Sequence, residues 1–433
     1  MRKEQPVRRK LSFGSVFMLV LLAVVVCGSA LVLGRLSSGA SVDLSRLSMN
    51  VLDFQEVSRT DETGPVAVVQ PEKEAQPAAS TATAKPAEAE TSVSRPMNAY
   101  TLTVGGSIAL TGEVRKNSWN PDAKMTDYAD VMMLLAQQVK ANVNCVFLEN
   151  IISDRMKAND NVAPSAATLL LKEAGFNMAA CGFGQSYAGG RTGTEETAAA
   201  LEDQGIRPLG IRETDKDSGT FTAGGIRTSF LQYTGTIPDK TRKTMAREGS
   251  EDLIPAAELS QIEEDIANAR RQGTEAVVVL LNWGKTGKDP DKAQKELADG
   301  IARAGADLII GCGSHVPQTA EYLTGENGKN VLCIWSLGSL LCGDRSNIKR
   351  ISGYLFHVTV QSDGQGGVDL IHPEYTPVYT WKYKQDGRYY YRCIASDGAG
   401  PDGMDNEQRK NMIKSAETVI AVLDGSPLTE RKH

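Results

Sequence analysis

The side chains best able to do chemistry lie just past the ends of apolar runs. Asn282 and Trp283 follow Ala276-Val277-Val278-Val279-Leu280-Leu281, while Cys312, Ser314 and His315 follow Leu308-Ile309-Ile310. Ser339 comes shortly after Val331–Trp335. Earlier in the chain, Gly106 and Ser107 follow Thr101–Val104, and Glu149 follows Asn144–Leu148. Gly184 lies in a glycine-rich loop after Asn177–Cys181. Histidine, glutamate, thiol and hydroxyl groups gathered in one place can ligate a metal, move a proton or supply a nucleophile.

Such gathering requires elements that bring those ends together. Short β-branched and apolar runs such as Ala276–Leu281 and Leu308–Ile310 read as strands buried on both faces, and Thr101–Val104 as an alternating one. Between two of them, Asp289 and Pro290 offer an N-cap and a first-turn proline for a helix that runs to Ala304 and stops at Gly305. Strands alternating with helices predict a mostly parallel sheet, and ligands on such sheets bind at the carboxyl ends of the strands. All the candidate loops fall there. Periodicity alone allows either two packed sheets or one doubly wound sheet.

The same residues carry a family resemblance. VVVLLNWG, then Pro290 and Gln294, then GADLIIGCGSHVPQ, Glu321-Tyr322 and IWSLGSLL resemble, in that order, the poly-gamma-glutamate capsule-synthesis (CapA) family of the calcineurin-like metallophosphatase superfamily. That family shows HWG, GADxIIGHHPHVxQ and YSLGNF at these places. Thr101–Gly106, Phe147-Leu148-Glu149 and Met178–Gly190 fit its earlier segments, so the likeness covers roughly residues 98–381. It implies an α/β fold, a metallophosphatase-like two-sheet α/β sandwich, and a role in making, exporting or attaching a capsule or cell-envelope polymer. It also implies two metal ions held by Asp, Asn and His at strand ends, which polarise a phosphoryl oxygen and activate water.

This chain departs from the pattern at the ligands. Gly106 stands for the Asp, Gly182-Phe183-Gly184 for Asn-Asn-His, Asn282 for the His of HWG, and Cys312-Gly313 for the paired His. Glu149 and His315 alone remain, too few for two hard cations. The expectation is a site without metal or other cofactor; the alternative is a retained divalent ion. The expected pocket comprises Gly106, Ser107, Glu149, Gly184, Asn282, Trp283, Cys312, Ser314, His315 and Ser339. Its expected role is non-catalytic binding of an anionic or cell-wall polymer. Arg191, Lys285 and Lys288 are candidates for a basic cleft, or simply solvated charges.

Two catalytic alternatives use the same region. Cys312 could act as a nucleophile beside His315, or merely fill space. Gly184-Gln185-Ser186-Tyr187-Ala188 approximates a nucleophile elbow, with Asp307 and His315 following in hydrolase order. An elbow needs a helix directly after the serine, and Gly189, Gly190 and Gly193 delay one.

Outside this region the chain changes character. Residues 1–10 hold Arg2, Lys3, Arg8, Arg9 and Lys10, and residues 11–34 carry no charge. Together they predict a cytoplasmic basic tail and a single transmembrane anchor, with a cleaved signal peptide as the alternative. Residues 35–97, rich in Pro, Ala and Glu, read as a disordered linker. The main domain, residues 98–381, is then expected outside the cytoplasm of a bacterial cell, with other capsule-synthesis membrane proteins as possible partners. A formal charge of −6 and a pI near 5.5 argue against nucleic acid, which needs a basic face.

Within the domain, Asp127–Lys140 reads as a helix buried through Val131, Leu134, Leu135 and Val139. Thr192–Glu195 reads as a capping box, residues 213–250 as an irregular excursion or hairpin, and Ala256–Arg271 as an amphipathic helix. Beyond Ser352 the pattern turns to β, with aromatic strands at Tyr375–Trp381 and Arg388–Ile394 and a last helix at Asn406–Leu423. Residues 382–433 form a C-terminal extension, and Met412, Ile413, Val419 and Val422 are the expected stripe of that helix. Seven cysteines without a CxxC pair indicate neither zinc ribbon nor thioredoxin chemistry, and Cys145, Cys181 and Cys333 read as buried hydrophobes.

Overall fold

The computed structural model describes residues 97–120, 125–212, 219–396 and 398–432. All belong to the unit Lys73–His433; the other unit, Met1–Glu72, lies outside them. The expected tail, membrane anchor and linker therefore fall outside the described residues, apart from the exposed Met97 at the linker's end. Among the described residues no helix is long and apolar enough to cross a membrane.

Among the described residues nineteen strands are ordered along the chain as β1 (Ala99–Ile108), β2 (Trp119–Asn120), β3 (Met125–Thr126), β4 (Val143–Leu148), β5 (Ile151–Ile152), β6 (Val162–Ala163), β7 (Met178–Ala180), β8 (Arg207–Leu209), β9 (Thr220–Ala223), β10 (Ile226–Thr234), β11 (Ala276–Asn282), β12 (Leu308–Cys312), β13 (Ala320–Thr324), β14 (Asn330–Ile334), β15 (Ser339–Leu341), β16 (Ser352–Ser362), β17 (Val368–Gln385), β18 (Arg388–Ala395) and β19 (Thr429–Glu430). One sheet runs β18-β17-β16-β1-β4-β7-β8, with β15 beside β1 and β19 beside β17. The second runs β13-β14-β12-β11-β10-β9. β1, β4, β7 and β8 are parallel, as are β10, β11, β12 and β14.

Burial makes this a two-sheet sandwich with helices outside. Along β11, Ala276, Val278 and Leu280 join the core between the sheets, where Leu102, Val104, Cys145 and Phe147 meet them from β1 and β4. Val277, Val279 and Leu281 point the other way, onto helices Leu259–Arg271 and Lys292–Arg303. The strand is thus apolar at every position because both faces are covered, and each such side chain contributes about 2 kcal/mol. The outer face of the first sheet packs on helices Ala129–Met133, Thr168–Ala174 and Gly190–Glu202 through Val146, Leu148 and Ala179.

Five local expectations are corrected. The helix expected over Asp127–Lys140 is broken into Ala129–Met133 and a tight turn at Ala136–Gln138. Bonds from Leu135 N to Met132 O and from Gln138 N to Leu135 O overwind the segment, so Leu135 and Val139 reach the core while Leu134 stays exposed. Thr192–Glu195 is no capping box. Its helix has already begun at Gly190, and the hydroxyls of Thr194 and Thr197 donate back to the carbonyls of Gly190 and Gly193. Asp291 rather than Asp289 caps the helix before Gly305, in a capping box with Gln294.

The stretch read as an irregular excursion or a hairpin over the sheet face does hold a hairpin, β9–β10, but within the sheet: β10, nine residues long, pairs parallel to β11 and is followed by a helix at Asp239–Arg247. In the last helix Ile413 is exposed, and Ser415 and Ala416 face inward with Met412 and Val419. The Ser415 hydroxyl donates to Ser352 Oγ at 2.7 Å, and a small side chain there lets the helix approach β16 closely.

Candidate functional site

The carboxyl ends of β1, β4, β11 and β12 meet, and Glu149 joins them. Its amide donates to the Ile108 carbonyl at 2.9 Å, which holds the residue against the end of β1. Oε1 accepts from Asn282 Nδ2 at 2.9 Å, and Oε2 lies 3.4 Å from His315 Nδ1. Glu149 belongs to the first sheet and Asn282 to the second, so one carboxylate ties the two together. The Glu149 side chain is 10% exposed and that of His315 22%. Solvent thus reaches the cluster mainly through the imidazole.

His315 adopts φ 56°, a backbone conformation unusual for a residue with a Cβ and found where surrounding contacts enforce it. Here Ser339 Oγ donates to the His315 carbonyl at 3.2 Å. One residue earlier, Gly287 N donates to the Ser314 carbonyl, and Ser314 Oγ bonds Val316 O and Ser336 Oγ. The turn that presents the imidazole is thereby built from buried hydroxyls. The Ser107 hydroxyl is also buried and has no hydrogen-bond partner among the described residues.

The other expected site residues take different places. Trp283 is core: it is 3% exposed, stacks on Trp335 with centroids 5.5 Å apart, and donates Nε1–H to the Trp335 carbonyl. Gly184 sits against the Thr236 carbonyl. Cys312 is fully buried, and burial, reinforced by the Glu149 charge, pushes its thiol well above the usual range. A neutral buried thiol is a poor nucleophile, so the space-filling role fits and the catalytic one does not. Lys285 and Lys288 are exposed on the loop that reaches Ser314, Lys285 being 3.6 Å from Asp291, whereas Arg191 bonds Ser250 and Glu195 on another helix.

The elbow reading fails on geometry. Ser186 Oγ is engaged by the Phe183 amide and carbonyl. Asp307 lies at the opposite end of β12 from His315, clamped by Arg270 and Lys329 at 2.7 Å each and by Val277 N. Ser186, Asp307 and His315 do not form a triad.

The metal pair implied by the likeness can be tested against the same residues. Gly106 is the bulged residue where the β1–β4 register shifts between Gly105 and Ser107. A Cβ at Gly106 would overlap the Gly338 carbonyl, beside the Ser107 N–Gly338 O bond that docks β15. At Gly182 the space is filled by the Gln232 amide, which accepts from Gly182 N at 2.8 Å and donates to Gly182 O at 2.7 Å. Added Cβ atoms at Gly184 and Gly313 would meet backbone oxygens at 2.6 and 2.8 Å. Among the described residues no group of three His, Cys, Asp or Glu side chains converges as a metal site. The residues present therefore do not fit the implied pair of ions.

Gln232 was missed in the sequence. Its signal is a lone amide in the run Ser229-Phe230-Leu231-Gln232-Tyr233, at a position that is buried in the fold.

Comparison with known proteins places the chain. Residues 101–344, more than half of it, match the model for the bacterial capsule synthesis protein PGA_cap. The chain is 27% identical over 192 residues to the capsule biosynthesis protein CapA of Bacillus anthracis, a match covering 43% of this chain and 45% of that protein. The chain thus spans less than half the length of this relative. Among solved structures it is similar to a hypothetical protein of Thermus thermophilus (TM-score 0.36, 13% identity, 64% of this chain and 99% of that one) and to a novel phosphatase of Mycoplasma pneumoniae (0.37, 14%, 65% and 94%). It is also similar to the calcineurin-like phosphoesterase YfkN of Bacillus subtilis (0.35, 10%, 76% and 99%). With its matched segment spanning the strand-end cluster, the chain belongs to the bacterial capsule synthesis protein PGA_cap family.

Proposed function

We propose that the chain serves capsule or cell-envelope polymer biosynthesis by binding an anionic or cell-wall polymer, without metal, other cofactor or catalysis. The observation that carries this reading is the Glu149 carboxylate, both of whose oxygens are engaged by Asn282 and His315. A carboxylate so engaged is poorly placed to ligate an ion, and the glycines around it leave no room for replacement ligands. His315 is then a polar contact for the polymer, with the exposed Lys285 and Lys288 on the adjoining loop. The same proposal places the domain outside the cytoplasm of a bacterial cell, held by a single-pass anchor at residues 11–34 and working beside other capsule-synthesis membrane proteins. Nucleic acid is not among its partners.

The test is elemental analysis of the purified full chain, followed by calorimetric titration with manganese and zinc and with poly-γ-glutamate. The reading expects no tight metal binding, and polymer binding that His315→Ala weakens. Two bound equivalents of metal together with hydrolysis of a phosphoester or amide would overturn it.

A further inference from the structure

At the far edge of the first sheet, β17 and β18 continue past β16 as a hairpin whose base is packed, with Trp381 and Tyr391 buried, and whose tip is exposed. Residues 380–385 of β17 have no partner in β16, and the turn is made at Asp386 and Gly387, with φ 50° and 80°. On one face Tyr383 stacks between Trp381 and Tyr390, with centroid separations of 4.3 and 5.4 Å. On the other, Lys382 Nζ lies 4.3 Å and Lys384 Nζ 5.6 Å from the centre of the Tyr389 ring, and Tyr389 is 45% exposed.

The hairpin's charge opposes that of the chain. Between Trp381 and Arg392 stand Lys382, Lys384, Arg388 and Arg392 against Asp386 alone, in a chain of formal charge −6. Arg392 is paired with Asp130 at 2.9 Å; among the described residues the other three cations have no carboxylate partner. Cations aligned beside an exposed aromatic ring fit a ligand that offers carboxylates and flat apolar faces together. The turn residues Gln385, Asp386, Gly387 and Arg388 are polar, which disfavours burial of the tip in hydrocarbon.

We propose that this hairpin binds an acidic polysaccharide. Lys382 and Lys384 pair with uronate carboxylates, and the Tyr389 ring on the same face packs against a sugar face. Positions two apart on a strand recur about every 7 Å on one face, so Lys382 and Lys384 can follow successive charges along a chain. β18 lies three strands from β1 in the sheet order, and the proposal does not depend on the Glu149 cluster.

The experiment measures binding of the full chain to polygalacturonate, dextran, poly-L-glutamate and phosphatidylglycerol vesicles. Polygalacturonate is expected to bind and dextran not. Lys382→Gln with Lys384→Gln should weaken binding about tenfold, roughly two lost surface ion pairs, and added salt should weaken it further. Tyr389→Ala should cost about fivefold and Tyr389→Phe little. Lys292→Gln with Lys295→Gln removes the same charge elsewhere and should change affinity less than twofold. Thermal melts that match the parent show that the variants fold. The proposal is overturned by polygalacturonate binding no tighter than dextran, by an equal effect of the control pair, by equal affinity for poly-L-glutamate that Tyr389→Ala leaves untouched, or by binding confined to the vesicles.

Discussion

Glu149 Oε1 and Asn282 Nδ2, 2.9 Å apart, link the carboxyl end of one sheet to that of the other. Oε2 lies 3.4 Å from His315 Nδ1, and the Asn282 amide donates to Oε1 without adding charge. Asn282→Asp would set two carboxylates side by side, costing about 2 kcal/mol at neutral pH. The deficit should shrink on acidification: a proton shared between the two carboxyls is bound by the folded state and not by the unfolded one, so relative stability rises as pH falls. Urea unfolding of both proteins across the acid range checks this. A deficit independent of pH would show that the two groups do not face each other.

Gly106 permits no return to a metal ligand. Gly106→Asp must push the Gly338 carbonyl away and disturb the Ser107–Gly338 bond, so β15 separates from β1 at a cost of about 2 kcal/mol or more. The variant should melt several degrees lower and still take up no manganese. A melt at the parent's temperature with tight manganese uptake would refute the close packing described for this bulge.

Asp307 organises the sheet's other end. It is 4% exposed and accepts from Arg270, Lys329 and the Val277 amide, so Asp307→Ala takes the acceptor from a buried donor and a carboxylate from two partly exposed cations. A loss of about 2 kcal/mol is expected, chiefly from the buried amide left unpaired, since the partly exposed cations keep the carbonyls of Gly305 and Val368 as acceptors. Polymer affinity per folded molecule should not change. Denaturant unfolding and calorimetry on the same sample separate the two effects, and lost affinity with intact stability would restore a functional role for this residue.

The parts of this architecture open to reading in the sequence are those where one physical rule dominates. β11 and β12 are apolar at nearly every position because they are covered on both sides, and Asn406–Leu423 is visible between its cap and its last apolar turn. β10 was hidden because its buried Thr228, Ser229 and Gln232 find partners on other elements, Tyr100 Oη, Thr274 Oγ1 and the Gly182 carbonyl, so polar residues break the apolar pattern while the strand stays buried. Trp283 was legible as a residue at the site loop, but its packing on Trp335 depends on a partner fifty-two positions away. The Glu149 cluster was nameable from position, whereas its hydrogen bonds arise only when two sheets are brought face to face.

The buried thiols give the last prediction. Cys145, Cys181, Cys312, Cys333, Cys342 and Cys393 are free and buried, and each thiol is shifted upward, first of all by burial; that of Cys145 is pushed up to about 12. The thiolate is the reactive form, so at pH 8 these groups should react with a chromogenic disulfide reagent only as fast as the fold opens. Peptide mapping after brief labelling should find them unmodified in native protein and all modified in denaturant. Rapid native labelling at Cys312 would reopen the nucleophile reading, because it requires an accessible thiolate beside Glu149 where burial and charge both oppose one.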